Sequence, residues 1–391
     1  MQPASFRKAK SGKLIKGSHG FWAFVPNRLP PIIDLTWEFA NQISESDRQL
    51  SQLAGAVRTL PNPHLLINPF TRREAVLSSR IEGTVASLSD LMSFEALGGV
   101  RSDRADVGEV ANYVTALEYG LKRLDQLPVS LRLMRELHER LMAGTSNSPA
   151  TRGEFRHSQN WIGPPGGLLK DATYVPPPEP EMKAALSDLE RYIHAKSNLP
   201  PLVRMALIHY QFEAIHPFLD GNGRIGRLLI TLLLCAEKLL PQPLLYLSAF
   251  FERHRSDYYR LLLEVSQNGN WTEWILFFLR GVAEQSIDAL NRANQLQQLA
   301  AEYRDLLHKK RASSTALKLV EVLFKNPVVS PTSTKSVLNL TYVSVQKNIE
   351  KLVEAGILRE VTGRKRDRIY VAQQIIDILE KQDARQLRLK L

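Results

Sequence analysis

The chain has 391 residues, 44% of them hydrophobic and 23% charged, which gives enough apolar surface for two or three packed units and excludes wholesale disorder. Its one cysteine, Cys235, excludes an internal disulfide and any thiolate-rich metal cluster within one chain, and fits a reducing, cytoplasmic setting. The formal charge of +11 is uneven: residues 301–391 hold 18 Lys and Arg against 10 Asp and Glu, so anionic partners are expected there.

Residues 1–36 are basic and then punctuated by Pro26, Pro30 and Pro31, which reads as an extended arm lying on a larger body. The first thirty residues hold no apolar run that could serve as a signal-peptide core, so export is not expected. From residue 35 to about 141 the apolar spacing is helical, as in Leu117, Leu121 and Leu124 and again in Leu133, Leu137 and Leu141, and predicts several antiparallel helices. Between 151 and 181 the texture changes to Gly163, Pro164, Pro165, Gly166 and Gly167, a short run at 172–175, and then Pro176, Pro177, Pro178 and Pro180. That pattern predicts a small hairpin projecting from the helices. Helical periodicity resumes near Met182, runs through Tyr210, breaks at Pro217 and returns over 223–239. The apolar run 228–236 is far shorter than the roughly 20 residues of a membrane span, and reads as a buried helix. Beyond Lys310, helical stretches at 315–325, 330–338 and 342–355 precede two β-like pieces. Gly356 is placed to stop the third helix in a left-handed cap, and Gly363 to turn between 358–361 and 368–371.

The break at Pro217 carries the chemistry. It reads His216, Pro217, Phe218, Leu219, Asp220, Gly221, Asn222, Gly223, Arg224, Ile225, Gly226, Arg227. Proline biases the preceding residue away from the right-handed helical region, so His216 is expected at a helix end with its imidazole directed into a cleft. There a largely neutral ring can accept a proton from an attacking hydroxyl. Gly221, Asn222 and Gly223 are the residue types that most easily take positive φ, so their N–H groups can form a nest for phosphate. A helix starting at about Gly223 adds its N-terminal amides. Arg224 and Arg227, three apart, share a helix face and can clamp phosphate oxygens. Asp220 is the candidate Mg²⁺ ligand, because that ion is commonly held by one carboxylate plus substrate phosphates.

This run resembles the Fic motif, His-x-Phe-x-Asp/Glu-Gly-Asn-Gly-Arg-x-x-Arg, at every specified position. The resemblance implies a mainly α fold: a helical Fic core with a small β-hairpin flap, followed here by a winged-helix domain. It divides the chain into an N-terminal arm and helical region over 1–69, a catalytic core over 70–300 and a C-terminal module over 301–391. It also implies transfer of AMP from ATP to Tyr, Thr or Ser hydroxyls of a target protein. In that reading His216 is the base, Asp220 holds Mg²⁺, and Asn222 with the glycine amides binds the α- and β-phosphates. Arg224 holds the α/β region, Arg227 reaches the γ-phosphate, and Phe218 anchors the loop from below.

Upstream, Ser78, Ser79, Arg80, Ile81, Glu82, Gly83 resembles the family's inhibitory helix, Ser/Thr-x-x-x-Glu-Gly/Asn. The resemblance implies that Ser78, Glu82 and Gly83 restrain transfer, with the Glu82 carboxylate pairing with Arg227 where the γ-phosphate should bind. Some relatives with this glutamate run the reverse hydrolysis, so AMP removal is the alternative direction. The hairpin over 163–178, with Gly163, Tyr174 and Val175, resembles the flap that docks a target chain by strand addition. Arg156 and Tyr174 either orient substrate or pack beneath it.

Residues 341–358 look like a recognition helix, with Val345, Ile349, Leu352 and Val353 on one face and Gln346, Lys347 and Asn348 available to a groove. Arg364, Lys365, Arg366 and Arg368 form a basic wing. Together they resemble winged-helix modules, whose partner is DNA in some cases and protein in others. The expected partners are ATP with Mg²⁺, a hydroxyl-bearing target protein, the chain itself as a self-modified target or a homodimer, and DNA through the C-terminal module, with no membrane. A DNA-binding regulator whose core only senses nucleotide is the second functional class.

Overall fold

The computed structural model describes residues 1–6, 9–17, 20–34, 36–59, 64–99, 105–144, 151–164, 166–364 and 367–381. After a 3₁₀ turn at Pro3–Phe6 come strands β1 (Gly12–Lys16) and β2 (Trp22–Pro26), then helices α1 (Trp37–Thr59), α2 (His64–Ile81), α3 (Leu88–Ala96), α4 (Ala105–Arg123) and α5 (Leu131–Leu141). A 3₁₀ turn at Leu169–Asp171 leads to α6 (Glu179–His194), α7 (Pro201–Ile215), α8 (Asn222–Ala236), α9 (Ser248–Arg253), α10 (Arg255–Asn268) and α11 (Trp271–Lys309). The rest is α12 (Ser314–Lys325), β3 (Val328–Val329), α13 (Pro331–Leu338), α14 (Tyr342–Glu354), β4 (Arg359–Glu360), β5 (Tyr370–Val371) and α15 (Gln373–Glu380). The fold is mainly helical, as the periodicity predicts.

The chain packs as two compact units that interleave in sequence. One comprises Met1–Gln52, Thr115–Pro241 and Leu247–Gln285; the other comprises Leu53–Val114, Gln242–Tyr246 and Ser286–Leu391. These units do not follow the linear division into 1–69, 70–300 and 301–391.

In the first unit α7 is the central element. Pro201 stands at its first position, where a missing N–H costs nothing, and its side chains are apolar almost all round, the pattern of a helix buried on every side. It packs against α6, α8, α10 and β2. Trp274 of α11 ties itself to this helix by donating Nε1–H to Ala206 O at 2.9 Å. The run 228–236, expected to be a buried helix, lies within α8 and is buried over Leu228–Leu234. The N-terminal arm departs from the extended reading: β1 and β2 pair antiparallel, with Gly12 opposite Pro26 and Lys16 opposite Trp22. The reason is not local. Ala23 and Phe24 are fully buried, the Phe24 ring lies 6.0 Å from that of Tyr174, and Phe24 N–H donates to Val175 O at 2.9 Å.

In the second unit α12 and α15 pack on α2, and α15 and β3 pack on α3. Helix α3 opens with a capping box in which Ser87 and Asp90 satisfy each other's backbone N–H. The three short strands form an antiparallel sheet in the order β3-β5-β4, with Val371 opposite both Val328 and Arg359. Strand β3 escapes sequence reading because two residues carry no periodicity. Gly356 (φ 73°) ends α14 in the left-handed cap expected of it, and Gly363 (φ 61°) lies in the turn between β4 and β5. Val345, Ile349 and Leu352 are buried as expected, whereas Val353 is exposed, one position off the α14 stripe.

Candidate active site

The loop begins where α7 stops. His216 is the C-cap, with φ 50° and ψ 60°, and donates its N–H to Phe212 O at 3.0 Å. A non-glycine residue in the left-handed region carries strain of the order of 1 kcal/mol or more, and it is offset here by what the neighbouring carbonyls receive. His216 Nδ1 lies 3.3 Å from Glu213 O. A carbonyl only accepts, so this contact puts the proton on Nδ1 and the lone pair of the neutral ring on Nε2.

Phe218 is fully buried, as expected of the loop's anchor. Its ring stacks on His138 at 3.9 Å with 5° between the planes, and Phe155 packs at 5.2 Å. Asn222 clips both sides of the same residue: its Oδ1 accepts Phe218 N–H at 2.8 Å and its Nδ2 donates to Phe218 O at 2.8 Å. Asn222 thus holds the loop backbone at Phe218 through its side chain. With its amide spent on the loop and only 2% exposed, it has a main-chain N–H alone to offer an anion.

The shape of the nest also differs from expectation. Only Gly221 takes positive φ, at 75°; Asn222 and Gly223 already belong to α8. The cradle is therefore a helix N-terminus entered through one left-handed glycine. The first i→i−4 bond of α8 runs from Ile225 N–H to Gly221 O at 3.0 Å, so the N–H groups of Asn222, Gly223 and Arg224 precede the helical ladder. A Cβ at Gly221 would also meet Met142 Sδ at 3.2 Å. Deeper in the helix, Gly226 lets Glu213 of α7 approach, since a Cβ there would sit 2.1 Å from Glu213 Oε1.

The charged groups divide by depth. Asp220 is half exposed, its Oδ1 accepts Gly221 N–H at 2.6 Å, and Arg224 Nη2 lies 3.7 Å from it. Arg224 and Arg227 are buried. For Mg²⁺ the donor set fits an ion that arrives on phosphates: one accessible carboxylate, and no cluster of three or more His, Cys, Asp or Glu ligands among the described residues.

Four residues around the loop have no counterpart in the sequence motif. His138 of α5 accepts Gly153 N–H on Nδ1 at 3.0 Å and, so tautomerised, donates Nε2–H to Asp220 O at 3.2 Å. Burial pulls its pKa down to about 4, keeping it neutral. Arg156 donates to His216 O at 3.0 Å, and Asn160 Nδ2 to His216 O at 3.3 Å and to Phe218 O at 2.7 Å. His209 of α7 bonds Gly226 O at 3.1 Å and Tyr258 OH at 2.8 Å, and burial, with the Arg227 charge adding, takes its pKa to about 3. A polar residue on an apolar helical stripe was the available signal for His138, which sits beside Leu137 and Leu141.

In the flap, Ile162 and Tyr174 form one antiparallel bridge. Gly163 permits it, since a Cβ there would lie 3.2 Å from Ala172 Cα. The Tyr174 and Val175 side chains are buried, Tyr174 OH donates to Ala214 O at 2.8 Å, and Val175 O accepts Phe24 N–H. Arg156 and Tyr174 are both buried, and Arg156 also reaches the carbonyl of His216. Trp161 and Ile162, just before the hairpin, and Leu168 within it are exposed.

In the other unit, Ser78 is buried in α2, Glu82 is exposed just past the helix, and Gly83 has φ 102°. Glu82 N–H donates to Ser79 O and Gly83 N–H to Arg80 O, both at 3.0 Å, which closes the helix end. Among the C-terminal contact candidates, Lys347, Arg364 and Arg368 are exposed. Gln346 is tied to Glu350 Oε1 at 2.9 Å and to Tyr370 OH at 3.3 Å. Asn348 is buried rather than available to a groove, because it donates to Ser344 O at 2.8 Å and accepts from Ser313 at 2.9 Å. Lys365 and Arg366 lie outside the described residues.

Residues 40–122 match the family model described as Fic/DOC family N-terminal, and residues 128–234 match the one described as Fic/DOC family. Among curated proteins, protein adenylyltransferase Fic of Drosophila erecta is 27% identical over 215 residues, covering 53% of this chain and 39% of that protein. The protein of the same name from Drosophila melanogaster is 26% identical over 215 residues, with the same coverage. The chain thus spans about two fifths of the length of the curated relatives it matches. A crystal structure of a Fic family protein from Desulfovibrio desulfuricans resembles the fold with TM-score 0.57 at 20% identity, over 88% of this chain and 98% of that one. A Fic domain containing signaling protein from Bacteroides thetaiotaomicron gives TM-score 0.52 at 20% identity, over 63% of this chain and 95% of that one. No helix among the described residues is long and apolar enough to cross a membrane.

Proposed function

Because this chain belongs to the Fic/DOC family, we propose that it is a protein adenylyltransferase, moving AMP from ATP to a hydroxyl side chain of a target protein. The observation that carries the reading is the contact of His216 Nδ1 with Glu213 O at 3.3 Å, which in the neutral ring assigns the proton to Nδ1 and Nε2 as the base. The target hydroxyl gives its proton to Nε2 as its oxygen attacks the α-phosphorus; the bond to the β-phosphate oxygen breaks and pyrophosphate leaves. The N–H groups at the start of α8 and the Arg224 guanidinium hold the phosphates in line for that attack. Asp220 would hold Mg²⁺, which when bound neutralises charge developing on the leaving pyrophosphate.

Glu82 restrains the reaction in this proposal by competing with the γ-phosphate for its cationic place, so that Glu82→Gly raises label transfer. Incubating ATP labelled on its α-phosphate with the purified chain and a protein extract tests the reading. Label is expected on protein hydroxyls with the unmodified chain and absent with His216→Ala. Release of AMP from a pre-modified target, with no net labelling, would assign the reverse direction instead.

A further inference from the structure

The loop is held by two sets of side chains that meet at Phe218 O. Asn222 and His138 hold the half nearer the phosphate cradle, at Phe218 and Asp220. Arg156 and Asn160 hold the half that carries the base. Arg156 is buried, and its guanidinium is spent on main-chain carbonyls: Nε on His216 O at 3.0 Å, Nη1 on Ser158 O at 3.3 Å, and Nη2 on Pro177 O. Its own N–H donates to Pro217 O at 2.9 Å. Burial lowers its pKa to about 10, so it stays charged at neutral pH despite the cost of desolvating a guanidinium.

Three donors in one rigid plane suit carbonyls arriving from three directions, which an ammonium on a flexible stem does not reproduce. Two of the carbonyls, those of Ser158 and Pro177, belong to the segments entering and leaving the flap; the third is that of His216. Resting on the nucleotidyl-transfer reading above, we propose that Arg156 is a positioning residue that locks the base to the flap. It sets the direction of the His216 imidazole relative to a target chain docked on the hairpin and leaves nucleotide binding to the other half of the loop. Asn160 supports it, reaching His216 O and Phe218 O from the same side.

The consequence is a split between turnover and nucleotide affinity. In the full chain with Mg²⁺ and α-labelled ATP, Arg156→Lys is expected to lower turnover by about 10- to 100-fold, the size of effect a misplacement of about 1 Å produces. Its directly measured dissociation constant for ATP stays within about threefold of the unmodified chain's, as loss of a purely transition-state arrangement requires. Asn160→Ala keeps the guanidinium and is expected to show the same split at smaller amplitude; it carries the test if Arg156→Lys does not fold. Unchanged turnover, or ATP affinity falling in step with turnover, overturns the proposal. Label transfer by His216→Ala at the rate of the unmodified chain overturns the reaction reading itself, which separates the two failures.

Discussion

In the loop over 216–227 the arginines are buried and the side chains of His216, Asp220 and Asn222 meet main-chain groups, whereas in the turn between β4 and β5 Arg364 and Arg368 stand in solvent. Asn222 has both ends of its amide fixed on Phe218. Arg368, by contrast, donates Nε–H to Arg364 O within its own turn at 2.9 Å. Both segments are rich in cations, but only the first makes each cation's position depend on the rest of the fold. A buried polar group must be satisfied or it costs free energy, so a buried motif constrains geometry in a way that a solvated run of arginines does not.

The sharpest break of that comparison is at His216. His216→Ala is expected to lower label transfer by about 10²–10⁴-fold or more, the range for loss of a general base, while thermal melting changes little because the ring is only partly buried. A variant that retains most of the activity would leave the loop as a structural turn.

Asn222→Ala comes next. It strands the Phe218 N–H, while Phe218 O keeps Asn160 as a donor at 2.7 Å. One buried N–H left unsatisfied costs about 1–3 kcal/mol, which a denaturation midpoint would register. Phosphate binding should fall with it, because the Gly221 entry to α8 loses its clip. If the loss appears only in nucleotide affinity and not in stability, the amide is a phosphate ligand after all.

A third effect depends on pH. The buried imidazole of His209 has its pKa lowered from 6.5 to about 3, chiefly by desolvation. The unfolded chain takes up this proton near pH 6.5 and the folded chain does not until about pH 3. Its contribution to stability is therefore full above pH 6.5 and is lost as the pH falls through that window, at up to about 1.4 kcal/mol per pH unit. His138, lowered to about 4, acts in the same direction over a narrower window. Urea midpoints at pH 7 and pH 5 should differ in this sense, and His209→Gln should flatten the difference by removing one of the two titrating groups.

These contrasts also explain what could be read from the sequence. The α7 and α8 helices, the break between them and the residue types of the loop were legible, because apolar periodicity and local φ preferences fix them. The roles within the loop were legible only in part. Whether Asn222 points at a phosphate or back at Phe218 depends on a bond four residues long in sequence but set by how Phe218 seats against His138 and Phe155. Arg156 was singled out only for its place beside the hairpin, because its hold on His216 O reaches across 60 residues, and Asn160, 56 residues from the same carbonyl, gave no signal. The β1–β2 hairpin was missed for the same reason: its buried Phe24 meets Tyr174, which no local pattern in 12–26 announces.

The smallest expected effect lies on the solvated side of the comparison. Arg364→Ala and Arg368→Ala should each change stability by no more than about 0.5 kcal/mol, as surface substitutions commonly do, and should leave nucleotidyl transfer unaltered. Their weight falls on anionic partners alone. If the C-terminal module grips duplex DNA, each arginine removed from a phosphate lowers the slope of log affinity against log salt by about 0.9, and a random duplex titrated at several salt concentrations reads that change directly. A salt-independent, unaltered affinity would instead assign the surface to protein contact. That outcome is the one favoured by the helix beside it, where Asn348 is buried, Gln346 is tied to Glu350 and Tyr370, and the exposed residues include the apolar Tyr342 and Val343. Base reading needs accessible polar side chains, and of Gln346, Lys347 and Asn348 only Lys347 is exposed.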